Sequence, residues 1–322
     1  YTFRTKNRIT IPISGTGSAG METALCNVVE PGDEVVVGTN GLFGERMNEI
    51  VSRCGGKPIT MKEDWGKAVK KEAIEDALKK SHAKIVALVH AETSTGVLQP
   101  LTEISKIVHE HGALFLVDTV TSLGGCEIDV DSLQIDICYS GTQKCLNCPP
   151  GLAPITFSDK AMNTVLNRKT KVHSWYLDMS LIEKYWSEGR AYHHTAPVSM
   201  IYALREALRL IHEEGLENRW ARHKKNSEAF IRGIEAMGLQ MHAEKEHRLP
   251  SLNSVAIPTN VSDSNVRATL LNDFDIEIGG GLGVLRGRIW RVGLMGINSN
   301  EKTVIVALEA LMCSYMNPAS GP

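Results

Sequence analysis

The 322-residue sequence has no apolar run close to the roughly 20 residues that a membrane-spanning helix needs. It also lacks an excess of either charge, because 35 lysines and arginines stand against 37 aspartates and glutamates. A balanced charge gives no indication of a surface built for nucleic acid or anionic lipid. We therefore expect neither a nucleic acid nor a membrane as a partner.

Cysteines are few, and no targeting signal is visible. The seven cysteines are odd in number and scattered, which favours free thiols in a reducing compartment over a disulfide framework. The opening "YTFRTKNRIT" has no initiator methionine and no signal-peptide pattern, and the closing "NPASGP" is not a peroxisomal signal. We expect a cytoplasmic protein with further natural residues before Tyr1.

Apolar β-branched runs alternate with amphipathic stretches along the first two thirds of the chain. Strands are predicted at 8–14, 33–39 and 83–91, and a helix with a 3.6-residue period at 101–112. Continuous apolar strands between helices are typical of a mainly parallel sheet covered on both faces. The sequence therefore predicts an α/β fold with ligands at the carboxyl ends of the strands.

The pattern changes near residue 196. Two long helices are predicted to end at Gly215 and Gly238, and short strands and a terminal helix follow. Helices mixed with short strands suggest a smaller α+β unit. We predict a large domain at 1–214 and a small C-terminal domain at 215–322. Two domains agree with a typical domain length of about 150 residues.

The stretch "GTGSAG" at 15–20 matches the dinucleotide-binding pattern G-x-G-x-x-G, between a predicted strand and a helix. The second strand, however, ends in "VVVGTNG" and lacks the carboxylate that binds a nucleotide ribose. Glycine amides, a helix N-terminus and the hydroxyls of Thr16 and Ser18 still suit a phosphate. The alternative is a tight turn that binds nothing.

Three polar stretches follow predicted strands. Asp118 ends the apolar run "ALFLVD", where an unpaired carboxylate would be costly. Lys144 lies just beyond the next strand and is a candidate Schiff-base amine. Thr93 begins the hydroxyl run "TST" after a further strand. Taken singly, each has a commoner structural explanation: a loop hydrogen bond for Asp118, a solvated side chain for Lys144 and an ordinary turn for Thr93.

Together these features suit pyridoxal phosphate, which carries a phosphate, an aldehyde and a ring nitrogen. The glycine loop offers an anion site, Lys144 an amine and Asp118 a carboxylate that keeps the ring nitrogen protonated.

The chain as a whole resembles the class-V pyridoxal-phosphate aminotransferases of the alanine–glyoxylate and serine–pyruvate type. The resemblance runs through "GTGSAGMETAL", "HAETSTGVLQPL", "LVDTVTSLGG", "YSGTQKCLNCPPG", "YHHTAPVSMIYALREAL" and "WRVGLMG". It implies fold type I of the pyridoxal-phosphate enzymes and a homodimer with shared active sites. It also implies that Lys144 forms the Schiff base and that Asp118 pairs with the ring nitrogen. The other cofactor-binding residues that it implies are Thr16, Gly17, Ser18, Phe43, Thr93 and Gln143.

The resemblance implies roles for two further regions. Tyr192 and Thr195 would reach the cofactor phosphate of the partner subunit. Arg291 would bind the substrate carboxylate, because a guanidinium matches a carboxylate with two parallel hydrogen bonds. Arg286 and Arg288 are rivals for that role from sequence alone.

The predicted activity is ping-pong transfer of an amino group from alanine or serine to glyoxylate or pyruvate. A rival within the family is a (S)-ureidoglycine–glyoxylate aminotransferase, and a rival from another class is a nicotinamide-dependent oxidoreductase using "GTGSAG". No metal site is predicted. Cys145 and Cys148 lack two further ligands nearby, and His193 and His194 are expected to point to opposite faces of an extended segment.

Overall fold

The computed structural model describes residues 1–316, so the C-terminal stretch "NPASGP", which does not match a peroxisomal signal, lies outside the described residues. None of the helices in this range is both long and apolar enough to cross a bilayer. The strands are β1 (Ile9–Ser14), β2 (Glu34–Thr39), β3 (Lys57–Lys62), β4 (Ile85–Val89), β5 (Ala91–Glu92), β6 (Val97–Leu98), β7 (Leu114–Asp118), β8 (Ile137–Tyr139), β9 (Leu152–Phe157), β10 (Gln240–Met241), β11 (Leu252–Ala256), β12 (Gly279–Gly280) and β13 (Ile289–Gly293). The helices are α1 (Gly17–Cys26), α2 (Leu42–Arg53), α3 (Lys71–Lys79), α4 (Thr102–Glu110), α5 (Asp159–Leu166), α6 (Met179–Trp186), α7 (Val198–Glu214), α8 (Leu216–Ala236), α9 (Asp263–Phe274) and α10 (Glu301–Met316).

A seven-stranded sheet in the order β1-β9-β8-β7-β4-β2-β3 forms the centre of the molecule. The five strands from β8 to β3 are mutually parallel, whereas β9 is antiparallel to both β8 and β1. The two reversals cancel, so β1 points in the same direction as the parallel strands. The carboxyl ends of β1, β4, β7 and β8 therefore lie at one edge of the sheet. The predicted mainly parallel α/β fold is confirmed.

Both faces of this sheet are buried. Val35 and Val37 of β2 belong to one apolar cluster, whereas Val36 belongs to another. Because successive side chains of a strand point to opposite faces, each face has its own core. Residues of α1, α2, α5 and α6 contribute to the first cluster, and residues of α3, α4 and α7 to the second. The polar groups at the strand ends are thus held by a rigid support.

A second, antiparallel sheet in the order β10-β11-β13-β12 packs with α8, α9 and α10 around a third apolar cluster. Its strands and helices agree with the predicted α+β character of the C-terminal part. Gly215 separates α7 from α8 with a φ of 79°, in the left-handed region that favours glycine. The division into domains at 214 and 215 stays a prediction.

Candidate active site

A cavity of about 230 Å³ opens at the edge of the sheet where β1, β4, β7 and β8 end. Its walls come from the glycine loop, the first turns of α2, the β5–β6 turn and the loop after β8. Most of the predicted cofactor-binding residues share this one cavity. Those lining it are Thr16, Gly17, Ser18, Phe43, Thr93, Asp118, Gln143 and Lys144.

The N-terminus of α1 forms one end of the cavity. Thr16 precedes the helix without capping it through its side chain, and the first turn contains no acidic residue. A Cβ atom on Gly17 would lie 3.0 Å from Cγ2 of Val120, so the close approach of these two loops favours glycine. Helix amides and a positive dipole end, next to the hydroxyls of Thr16 and Ser18, can bind a phosphate.

Asp118 lies at the carboxyl end of β7 and is 2% exposed. One carboxylate oxygen accepts a hydrogen bond from the amide of Val120 at 2.7 Å, and the other accepts from the hydroxyl of Tyr139 at 2.7 Å. Burial raises the pKa of Asp118 to about 6, although both hydrogen bonds oppose that rise. A cation placed beside this carboxylate would restore its charged form.

Lys144 reaches the same cavity from the loop after β8 and is partly buried. Burial lowers the pKa of its amine, and the charge of Arg291 lowers it further. Within residues 1–316 no carboxylate lies within ion-pair distance of its Nζ. An amine with a lowered pKa is neutral more often, and only the neutral amine is a nucleophile or a base.

Arg46 is a cavity residue that sequence analysis did not select. Its guanidinium lies 5.0 Å from the centre of the Phe43 ring and donates a hydrogen bond to Oγ of Ser18 at 3.2 Å. Its charge also lowers the pKa of Asp118. Arg46 could have been found from its spacing to Phe43, because residues three apart on a helix share one face.

Two buried residues behind the cavity wall were also missed. Tyr139 is buried on β8 and donates a hydrogen bond to Asp118, so this strand residue has a polar contact with the site. Glu92 is completely buried where β5 ends, and burial raises its pKa to about 7. The sequence pattern pointed to the hydroxyls that follow Glu92 but not to the carboxylate itself.

The three candidate arginines differ in position. Arg291 on β13 is half-buried and donates from Nε to the carbonyl of Gly280 at 2.8 Å and from Nη1 to the carbonyl of Thr93 at 3.3 Å. Arg286 and Arg288 are exposed. Because Thr93 lines the cavity, Arg291 is the arginine of the three that lies beside it.

Tyr192 and Thr195 do not line this cavity. Tyr192 is 80% exposed, and its hydroxyl lies 3.4 Å from Oγ1 of Thr195. The expected role of this pair at a partner subunit stays a prediction.

The expectation for the adjacent histidines is wrong. Nδ1 of His193 lies 2.8 Å from Nδ1 of His194, because this segment is irregular and not an extended strand. Cys145 and Cys148 are both buried thiols. No group of three metal-ligating side chains occurs within the described range 1–316.

The fold and site together define an α/β protein in which an uncapped helix N-terminus, a buried carboxylate and a partly buried lysine line one cavity. The family model of the class-V aminotransferases matches residues 3–300. The crystal structure of an alanine–glyoxylate aminotransferase from Nostoc superposes with a TM-score of 0.95 at 49% identity, covering 98% of this chain and 83% of that chain.

Curated relatives of the chain are also aminotransferases. The (S)-ureidoglycine–glyoxylate transaminase of Bacillus subtilis is 41% identical over 99% of this chain and 81% of its own length. The alanine–glyoxylate aminotransferase of Callithrix jacchus is 42% identical over 97% of this chain and 76% of its own. The chain belongs to the class-V aminotransferase family and is a transaminase. The predicted family is confirmed, and the family implies pyridoxal phosphate as cofactor.

Proposed function

We propose that the chain binds pyridoxal phosphate in this cavity and transfers an amino group from a small amino acid to glyoxylate or pyruvate. The observation that carries the proposal is the presence of Lys144, buried Asp118 and the uncapped N-terminus of α1 in one cavity. Glyoxylate is favoured as acceptor because it is named in the relatives with 41% and 42% identity.

The residues present fit the cofactor. The phosphate would bind at the N-terminus of α1, with Gly17, Ser18 and Gln143, and with Thr16 close by. The Phe43 ring would stack on the cofactor ring, and Thr93 would lie near the ring hydroxyl. When bound, pyridoxal phosphate supplies an aldehyde carbon that takes up the amino group and a ring that accepts electrons.

Asp118 would hold a proton on the ring nitrogen. Its two oxygens are already oriented by Val120 and Tyr139, so the carboxylate does not need to rearrange. A protonated ring nitrogen is a cation, which favours the charged form of Asp118 over the neutral form that burial favours. The pair would therefore be more stable than either charge alone in this cavity.

Lys144 would move the proton of the reaction. Its neutral Nζ would take the α-proton of the bound amino acid and would later give that proton back within the cavity. A base works best when its pKa lies near the working pH, and the burial of Lys144 shifts its pKa in that direction. Release of one 2-oxo acid before the second binds predicts ping-pong kinetics.

Arg291 would bind the substrate carboxylate. Two main-chain carbonyls, at Gly280 and Thr93, orient its guanidinium, which has five N–H donors in total. The remaining donors are free to bind a carboxylate with two parallel bonds.

A second candidate concerns the amino donor only. The 41% identity to a (S)-ureidoglycine–glyoxylate transaminase makes ureidoglycine an alternative to alanine or serine.

We also propose a homodimer in which Tyr192 and Thr195 contact the partner's cofactor phosphate; the exposure of Tyr192 supports it.

The first test is spectroscopic. Purified protein loaded with pyridoxal phosphate should show the visible absorption band of a lysine Schiff base, and Lys144→Ala should lose both the band and nearly all turnover. Lys302→Ala, at an exposed lysine on α10, is the matched control and should keep both. An unchanged band in Lys144→Ala would refute the proposal.

The second test identifies the donor. Alanine, serine and ureidoglycine are added singly to the loaded enzyme without an acceptor. The true donor should bleach the visible band in one half-reaction, and glyoxylate or pyruvate should then restore it. If only ureidoglycine bleaches the band, the donor is that of the second candidate.

A further inference from the structure

Glu92 is a completely buried carboxylate whose two oxygens are both occupied. Oε2 accepts hydrogen bonds from the amides of Phe43 at 3.1 Å and Gly44 at 3.3 Å. Oε1 accepts from the amide of Ser94 at 3.1 Å and from its hydroxyl at 2.6 Å. A buried carboxylate with four donors holds those donors in fixed positions.

The donors from Phe43 and Gly44 belong to the first turn of α2. The preceding amide, that of Leu42, donates to Oγ of Ser94 at 2.9 Å. The residue before the helix is Gly41, which has no side chain to cap it, and a Cβ there would lie 2.4 Å from Cδ of Glu92. The cap of α2 is therefore supplied by the β5–β6 turn, and the positive end of the helix dipole stabilises the carboxylate.

The same turn contacts the C-terminal sheet. The carbonyl of Thr93 accepts from Arg291, and the carbonyl of Thr95 accepts from Oγ of Ser254 at 2.8 Å. A Cβ on Gly96 would lie 2.3 Å from that same Oγ, so the turn fits closely against β11. One short turn thus contacts α2 on one side and, on the other, the sheet in which β13 carries Arg291.

We propose that Glu92 is a positioning residue that fixes the first turn of α2, so that Phe43 and Arg46 face the bound cofactor. The amide of Phe43 donates a hydrogen bond to Glu92, and Arg46 follows one turn later on the same face of α2. Without the carboxylate, the amides of Phe43 and Gly44 lose their acceptor, and the Ser94 hydroxyl that accepts from Leu42 loses its own partner. The aromatic ring then loses its orientation. The inference rests on the proposed function, because it assumes that pyridoxal phosphate occupies the cavity.

The test measures the dissociation constant of pyridoxal phosphate from wild-type protein and from Glu92→Gln by titrating cofactor-free protein. Glutamine keeps the shape but places an amide NH2 against groups that are themselves donors, so we expect about tenfold weaker binding. Phe43→Leu provides a double-mutant cycle. If Glu92 acts through Phe43, adding Glu92→Gln to Phe43→Leu should weaken binding by less than about threefold.

Asp136→Asn is the matched control. Asp136 is also a buried carboxylate that accepts from a main-chain amide, that of Phe115 at 3.0 Å, and from a serine hydroxyl, that of Ser158 at 2.8 Å. Unlike Glu92, it also lies 3.9 Å from Nζ of Lys160 and 3.6 Å from Nε2 of His109. It precedes β8 and lies at the opposite edge of the sheet from the cavity. The control should lower the melting temperature and leave the cofactor dissociation constant unchanged.

Hydrogen exchange of the cofactor-free protein supplies a readout independent of activity. Peptides covering 42–46 should exchange faster in Glu92→Gln than in wild type or Asp136→Asn. If Glu92→Gln does not fold, Ser94→Ala replaces it as the test variant, because it removes only the acceptor of the Leu42 amide and one donor to Glu92. It should shift exchange and affinity in the same direction by a smaller factor.

The outcomes separate the two proposals. Wild-type protein that binds no pyridoxal phosphate overturns the proposed function, and this inference with it. Normal wild-type binding with unchanged affinity and exchange in the Glu92 or Ser94 variant overturns this inference alone. Additive effects of Glu92→Gln and Phe43→Leu overturn it as well.

Discussion

Replacing Asp118 by asparagine should stabilise the cofactor-free protein at neutral pH while impairing catalysis. Asparagine has nearly the same shape and can accept from the Val120 amide and donate to the Tyr139 hydroxyl oxygen, which are the two groups that contact Asp118. It carries no charge, however. The variant therefore removes the cost of a buried carboxylate without opening a cavity.

The size of the effect follows from the pKa of Asp118, which burial raises from 3.8 to about 6. The folded protein thus holds this proton more tightly than the unfolded chain does, so its stability falls as the pH rises through the window from about 4 to about 6. At about 1.4 kcal/mol per pKa unit, the cost reaches about 3 kcal/mol at neutral pH. The charge of Asp118 also raises the pKa of Glu92, so its removal acts in the same direction.

Chemical unfolding of cofactor-free wild type and Asp118→Asn at about pH 7.5 and about pH 4.5 measures this cost. The stability advantage of the variant should be about 2 kcal/mol larger at the higher pH. A difference that does not change with pH would refute the burial argument. In the loaded enzyme the same variant should slow turnover by a factor on the order of 100 or more, because asparagine cannot hold the ring proton.

Two further predictions concern the phosphate and carboxylate sites. Gly17→Ala places a methyl group 3.0 Å from Val120 and should weaken cofactor binding about tenfold, whereas Gly189→Ala, where only one atom lies within 4 Å, should not. Equal affinities in the two variants would show that the loop tolerates a side chain. Arg291→Lys should raise the KM for both substrates by about tenfold or more, because lysine cannot form two parallel bonds to a carboxylate. Arg288→Lys is the exposed control, and steady-state kinetics showing equal KM values for both variants would remove Arg291 from the site.

Most of the fold could be predicted from local patterns. The apolar strands β2, β4 and β7 are buried on both faces, which gives them a continuous hydrophobic signal. β3 escaped prediction because it is an edge strand with lysine at both ends. β9 escaped because it contains Pro154, and proline argues against a central strand; it is accommodated where Pro154 faces Pro12 across the β1–β9 pair.

The site residues also differ in whether local sequence patterns could predict them. Asp118 and Lys144 could be found because each polar residue follows an apolar strand, and such positions share one edge of a parallel sheet. Glu92, Tyr139 and Arg46 could not be found in this way. Their roles depend on residues distant in the chain, such as the 48 or 49 positions that separate Glu92 from the α2 amides it caps.

The sequence by itself determined the apolar strands that end in the polar site residues and, through its motifs, the family and the lysine proposed to form the Schiff base. Hydrophobic periodicity and local spacing are properties of the chain, so they can be read without coordinates. Only the tertiary structure decided that Arg291 lies beside the cavity while Arg286 and Arg288 are exposed, and that the β5–β6 turn caps α2. Burial and long-range hydrogen bonds arise when distant segments pack together, and these contacts set the pKa values and orientations on which the proposed reaction depends.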